Sequence, residues 1–414
     1  MGHQEITLTL ERLVKIAFVV GEFPALSETF VLNQITALLE RGHEVSIFAE
    51  REGDQSTTHR DVDGFGLRQR VRYERMPERA LARAMRLPAM CVGTPSARAA
   101  LNVFRHGLES ASLRLAFTAN LFQGSPAFDV VHCHFGALGL KAARAQALGV
   151  LRGRIVTAFH GEDIVNYPKR FRAGLYAPLF DRGELFLPIS DRWNEALVAM
   201  GCPAERIRVH RMGVDLRRFK QGTGRSGGPV KILSVGRLVE KKGIAQAIAA
   251  LSTVAAPFEY VIAGDGPLRC QLEELARQRL PAGSFRFLGA QTQDAIVPLL
   301  QSADIFLAPS VTADDGDIEG IPVAIMEAMA AGLAVVATRH SGIPELVAHD
   351  RSGLLVDEYD VEGLAIALTA LVADPAHRTR LGAAGRAIVA AEYDVAALTD
   401  RLVDLYSGIV DRPS

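Results

Sequence analysis

Cysteine is scarce in this chain. Cys91, Cys133, Cys202 and Cys270 are the only four in 414 residues, far apart and in no CxxC pair. This excludes a disulfide framework and the usual zinc spacings, and reduced thiols in the cytoplasm are expected. Long hydrophobic runs are missing too. No stretch reaches the roughly 18 uncharged apolar residues of a membrane span. The longest candidate, 321–338, carries Glu327 inside it. The segment 1–15 has acids and no apolar core, so no signal peptide is expected. Neither charge sign is in excess. Lys plus Arg total 46, Asp plus Glu 47, and the net charge is −1. Bulk nucleic-acid binding, which needs a basic face, is excluded on that ground. A dinucleotide fingerprint is absent from its proper context as well. The one GxGxxG spacing, Gly222 to Gly227, leads into an apolar run and not into a helix.

What is present is 49% hydrophobic residues and 22% charged ones, enough apolar mass for two or three cored domains. Short Val/Ile/Leu/Phe runs alternate with helical patterns, which predicts parallel sheets with crossover helices. In the first half the runs are 15–20, 44–49, 129–133, 154–159, 185–189 and 207–210. A Gly-rich stretch, 221–229, reads as a linker. The alternation restarts with 230–235, 259–263, 284–288, 304–308, 333–337 and 353–356. The expected fold is therefore α/β, two doubly wound Rossmann-like domains, 1–220 and 230–385, with a helical segment at 386–414.

One region departs from this pattern. Residues 60–114 hold 11 Arg, no Lys and 5 acids, a local balance of +6 that leaves −7 for the rest. A solvated helical face and a basic patch for an anionic acceptor or membrane surface both fit this.

Open α/β sheets bind ligands beyond the carboxyl ends of their strands. After the first run stand Gly21, Glu22 and, in Phe23-Pro24-Ala25-Leu26-Ser27-Glu28-Thr29-Phe30, a helix start at which Ser27 suits either capping or an anion site. His132 and His134 flank Cys133 and share one strand face; local hydrogen bonding is favoured over a metal. His160-Gly161 follows the fourth run. In the second half Arg237 and Lys242 flank a strand–loop–helix junction, which suits a diphosphate, while Lys241 reads as a solvated turn residue. Gly264-Asp265-Gly266 makes a tight turn. Glu319-Gly320-Ile321-Pro322 opens a helix with Pro322 as its first residue, and Glu327 lies further in. Two carboxylates near two cations suit the hydroxyls of a sugar and a ribose. Asp315-Gly316-Asp317 is a DxD, read as loop in preference to a metal site.

The E-x7-E pair Glu319/Glu327, with Gly236-Arg237…Lys242-Gly243, Gly264-Asp265-Gly266-Pro267, Phe287-Leu288-Gly289 and Ala303-Asp304…Pro309-Ser310, resembles the retaining glycosyltransferases of family 4, which have the GT-B fold. The segments 23–30, 132–136 and 319–322 resemble its colanic-acid-type exopolysaccharide branch. The likeness spans essentially the whole chain. It implies an acceptor-binding first domain, a nucleotide-sugar-binding second domain, and a C-terminal helix crossing back to the first.

By resemblance Arg237 and Lys242 hold the diphosphate, Glu327 the ribose and Glu319 the donor sugar. His160 lies near the reacting carbon. Gly21, Gly264, Leu288, Gly320, Ile321 and Pro322 line the donor site, and Glu22, Ser27 and His134 the acceptor side. No cofactor or metal is implied beyond a nucleotide-diphosphate sugar, a UDP-hexose favoured. The implied acceptor is a saccharide or a polyprenyl-diphosphate-linked oligosaccharide, presented at the inner membrane face. The sequence departs from the family in Gly21-Glu22 for Gly-Gly, Met212 for Asn in Met212-Gly213-Val214-Asp215, and Ile321 for Phe. Other readings are a nucleotide-sugar epimerase or a non-catalytic member of a polysaccharide assembly complex. A phosphorylase has no convincing pyridoxal lysine here.

Overall fold

The computed structural model describes residues 13–25, 28–53, 59–93, 95–106, 108–169, 174–219 and 228–412. Among the described residues, twelve strands form two sheets. The first contains β1 (Lys15–Phe23), β2 (Glu44–Glu52), β3 (Val71–Tyr73), β4 (Val130–His134), β5 (Arg154–Phe159) and β6 (Leu185–Pro188), in the order β3-β2-β1-β4-β5-β6. The second contains β7 (Val230–Val235), β8 (Phe258–Ala263), β9 (Phe285–Phe287), β10 (Ile305–Ala308), β11 (Ala334–Thr338) and β12 (Leu354–Val356), in the order β12-β11-β10-β7-β8-β9. Every pairing is parallel.

Both orders are the same doubly wound path, reversing once between β1 and β4 and once between β7 and β10. Helices cover both faces. That burial is why β1 reads as an unbroken apolar run over 16–20 and not as an alternating one. Ala17 and Val19 face one core layer while Ile16, Phe18 and Val20 face the other. The fold class is as the sequence predicts.

Two strand expectations change. Val71–Tyr73 is a strand inside the Arg-rich region. Residues 207–210 form no strand; Ile207 makes only an isolated bridge to Phe186. Of the expected linker, 221–227 lie outside the described residues.

The chain passes twice between the sheets. The first passage carries a 3-10 turn, Leu216–Arg218, capped by Asp215, whose Oδ1 accepts the Arg217 N–H at 3.0 Å. The second joins the helix Pro375–Glu392 to the last helix, Val395–Val410. Leu402, Val403, Tyr406 and Ile409 of that last helix pack into the first sheet's core beside β1. Arg41 ties its start down, reaching Asp400 at 2.7 Å and the Ala396 carbonyl at 2.8 Å.

Candidate functional site

A cleft of about 550 Å³ opens where the carboxyl ends of the two sheets meet. It is lined by His160 after β5, Gly236 to Lys242 after β7, Gly264 and Asp265 after β8, and Glu319 to Glu327 after β10. The ends of β7 and β10 are the topological reversal of the second sheet, where an open α/β sheet leaves room for a ligand, and the ends of β5 and β8 flank it.

The cationic side of the cleft is built by close backbone approach. Gly264 has φ +155°, and a Cβ there would stand 1.8 Å from the Gly236 carbonyl oxygen. Only glycine lets the two loops touch. Arg237 and Lys242 line the cleft beside this contact. Lys242 Nζ lies 3.0 Å from Glu319 Oε1. Burial works against the Glu319 charge, but Lys242 and Lys241 outweigh it and hold the carboxyl below its usual range. The Glu319 backbone is fixed as well. Its N–H donates to His340 Nε2 at 2.9 Å, so the His340 proton sits on Nδ1 and donates to Glu358 Oε1 at 2.7 Å. Pro322 is the N-cap of the helix Val323–Ala330, one place before the first helical residue expected of it. The free N–H groups of that helix start border the cleft.

Gly320 sits against the opposite half. A Cβ on it would be 2.4 Å from the His160 carbonyl oxygen. The His160 ring packs between Phe30 and Phe135, each 4.7 Å between centroids. Its Nε2 is 3.1 Å from His134 Nδ1. Burial pushes the His160 pKa down to about 3, so a neutral imidazole meets the cleft. Asp163 holds the loop beneath it, accepting N–H bonds from Gly136 at 2.8 Å, His160 at 3.0 Å and Gly161 at 2.9 Å.

Glu327 is buried in its helix yet borders the cleft. Its Oε1 accepts the Gln293 Nε2–H at 3.0 Å. Burial raises its pKa to about 7; Gln293 and then Arg218 act against that rise.

The structure thus brings His160, Arg237, Lys242, Gly264, Glu319, Gly320, Ile321, Pro322 and Glu327 to one cleft. Other expected site residues lie elsewhere. Gly21 and Glu22 stand near the end of strand β1, off the cleft wall, with Glu22 paired to Arg51 at 3.7 Å. Leu288 packs on the second core; Ala290 and Gln291 reach the cleft instead. His134 is buried behind His160. Ser27 lies outside the described residues, and the helix it was expected to start is Thr29–Glu40, whose N-cap is Glu28.

Several wall residues were not singled out by the sequence. Glu28, Thr29, Phe30, His59 and Gln293 line the cleft. Glu28, buried and beside Glu22, has its carboxyl raised to about 7. Lys241, expected to be solvated, pairs with Asp317 at 3.0 Å and donates to the Ile318 carbonyl at 3.2 Å. Asp315 Oδ1 accepts the Asp317 N–H at 2.9 Å, so the DxD closes its own turn.

Comparison with known proteins gives the same outline. The sequence profile described as Glycosyl transferases group 1 matches residues 216–388, and that of Glycosyltransferase Family 4 matches residues 27–218. A colanic acid biosynthesis glycosyltransferase, WcaL of Salmonella typhimurium, is 45% identical over 370 residues, 86% of this chain and 90% of its own. The amylovoran biosynthesis glycosyltransferase AmsK of Erwinia amylovora is 39% identical over 391 residues, 92% of this chain and 96% of its own. Among solved structures, Anabaena Alr3699/HepE in complex with UDP superposes with a TM-score of 0.72 at 18% identity, over 95% of this chain and all of that one.

Proposed function

We infer, because this chain belongs to glycosyltransferase family 4, that it moves a hexose with retention from a nucleotide-diphosphate sugar to a saccharide acceptor in the synthesis of an exopolysaccharide or other cell-surface glycan. One observation carries the reading: two cations, a helix N-terminus and two carboxylates converge in a single cleft. Residues 230–385 then hold the donor and residues 1–220 the acceptor. A UDP-hexose is the favoured donor.

The bond between the anomeric carbon and the phosphate oxygen breaks with oxocarbenium character. Charge grows on the leaving diphosphate, at which Arg237, Lys242 and the start of the helix Val323–Ala330 are already aimed. The acceptor hydroxyl attacks from the same face, its new C–O bond replacing the lost one. The leaving phosphate oxygen takes its proton. Glu319, ionised beside Lys242, orients donor hydroxyls and is not the nucleophile. His160, neutral, offers one ring nitrogen to the donor sugar. The cations that a metal would otherwise supply come from Arg237 and Lys242.

The acceptor is read as lipid-linked and presented at the inner membrane face. An outward apolar stripe supports this placement. In the helix Ala80–Gly93, Leu81, Met85 and Val92 are 75%, 76% and 80% exposed. Arg83 is buried on the inner side, donating to the carbonyls of Ser112, Pro77 and Glu78. Leu87 and Cys91 pack inward as in any surface helix, so the departure lies in the three large apolar side chains left outside and the one arginine taken in.

A thermal-shift panel with UDP, GDP, ADP, dTDP and NAD, each with and without magnesium, tests the reading. A ligand at about 100 times its Kd adds about 2.7 kcal/mol to stability. One nucleoside diphosphate should raise Tm regardless of metal and name the donor class; no shift with any nucleotide turns attention to a non-catalytic role. Product formed from the nucleotide sugar without any acceptor would point to an epimerase instead.

A further inference from the structure

Glu327 does not stand alone behind the cleft wall. Its Oε1 accepts from Gln293 Nε2 at 3.0 Å, and Gln293 Oε1 accepts from Arg218 Nη1 at 3.2 Å. The other arm of the same guanidinium, Nη2, is bound to Asp61 Oδ2. Arg218 Nε also lies 3.6 Å from Asp215 Oδ2. Gln293 and Glu327 are both buried, and Asp61 and Arg218 are mostly so.

Chemistry gives this chain one direction. A guanidinium has donors only, so Gln293 must turn its carbonyl to Arg218. Its amide NH2 then faces Glu327, and Glu327 Oε1 must accept. One carboxylate oxygen is committed, and Oε2 is the one left for a ligand in the cleft. Gln293 is itself held in place as the first residue of the helix Gln293–Ser302, whose N-cap Thr292 accepts the Ala295 N–H at 3.3 Å.

The four residues come from three separate parts of the molecule. Asp61 is in the short helix Arg60–Gly64 of the first half. Arg218 ends the turn in the passage between the sheets. Gln293 and Glu327 belong to the second half. We propose that Asp61, Arg218 and Gln293 form a positioning relay that fixes Glu327 with one oxygen turned to the donor's ribose diol, so that recognition of that diol depends on the contact between the two halves. The proposal rests on the reading of Glu327 as the ribose-binding carboxylate.

Gln293 lines the cleft, while Asp61 and Arg218 do not, so they act on a ligand only through Gln293 and Glu327. The test is calorimetric titration of the full chain with UDP, GDP and ADP and with the 2′,3′-dideoxy form of each. The quantity read is the preference for the hydroxylated ligand within each variant, a ratio in which a general loss of folding cancels. The intact chain should prefer the diol by about tenfold or more, the worth of hydrogen bonds to a charged group. Gln293→Met should remove most of that preference. Arg218→Lys keeps the charge but has no fork to span Gln293 and Asp61, and should lower it about as far. Asp61→Asn, furthest from the ligand, should lower it about threefold, less than one hydrogen bond to a charged partner is worth. A preference unchanged in any one of the three, whatever happens to overall affinity, overturns the relay. A wild-type chain that binds nucleoside diphosphates without preferring the diol overturns both the ribose role and the relay, and one that binds none of them overturns the donor-site reading beneath them.

Discussion

At the scale of single residues, the two carboxylates of the E-x7-E pair sit in opposite electrostatic surroundings. Glu319 is held ionised by Lys242 and Lys241 despite its burial. Glu327 has no lysine partner among the described residues, and burial raises it from 4.5 to about 7. A carboxyl with a raised folded pKa favours the folded state below its unfolded value, and that contribution is lost as pH climbs from about 4.5 through about 7. A ribose diol donates two hydroxyl hydrogens and needs the ionised form. The nucleotide-induced rise in Tm should therefore be larger at pH 8 than at pH 6, and Glu327→Gln should flatten that difference. A second prediction concerns Glu319→Gln, which keeps size and loses charge. If Glu319 orients the donor sugar against Lys242, turnover should fall by about 10²–10³, the usual cost of one preorganised polar group, while nucleoside diphosphate affinity changes little. Near-full turnover would remove Glu319 from that role.

Both glutamates were legible in the sequence because their spacing around a Pro-initiated helix is local. Gln293 and Arg218 were not. Neither lies in a motif, and their link to Glu327 exists only once the crossing segment and the loop after β9 fold together. Glu28 stood inside a quoted segment, but the burial that raises its carboxyl, and the charges of Glu22, Arg51 and Glu162 that act on it, come together only in the folded chain.

At the scale of elements, two of the three glycines named in the donor site behave differently. Gly264 combines φ +155° with a Cβ position 1.8 Å from backbone oxygen, and Gly21 would meet nothing within 4 Å. Gly264→Ala should cost about 1–3 kcal/mol in urea unfolding, the range for a side chain forced into such backbone geometry, and should weaken nucleotide binding because it separates the loops after β7 and β8. Gly21→Ala should stay within about 0.5 kcal/mol. Twelve apolar runs were read as strands and eleven are. The run at 207–210 looked like a strand by composition, but its bonds to β6, from the Arg208 N–H to the Phe186 carbonyl at 3.0 Å and from the His210 N–H to the Pro188 carbonyl at 2.9 Å, leave an isolated bridge and not a strand. Val71–Tyr73 was masked by arginines on both sides; Arg72 nonetheless fits an edge strand, reaching out to the Gln123 carbonyl at 3.0 Å. Edge strands are where a charged residue is tolerated in a parallel sheet.

At the scale of the whole molecule, charge is divided: +6 over residues 60–114 and −7 over the rest. The basic part carries the outward stripe of Leu81, Met85 and Val92, and Phe104, in the same stretch of sequence, is fully exposed. Arg75, Arg79, Arg86 and Arg98 of the same stretch are exposed too. In water this arrangement leaves large apolar groups uncovered; against an anionic bilayer both features become favourable. Each arginine near such a surface is worth about 1 kcal/mol, and each apolar side chain fully withdrawn from water about 1.5–3 kcal/mol. The protein should therefore sediment with vesicles containing anionic lipid far more than with neutral ones. Binding should weaken as salt rises, since the Debye length shrinks from about 10 Å at 0.1 M to about 3 Å at 1 M. Met85→Asp combined with Phe104→Asp should abolish sedimentation while leaving the nucleotide-induced Tm shift intact, because neither residue lines the cleft. Equal recovery with anionic and neutral vesicles would show that the stripe serves something other than a charged membrane. The acceptor would then have to reach the first half of the molecule from solution.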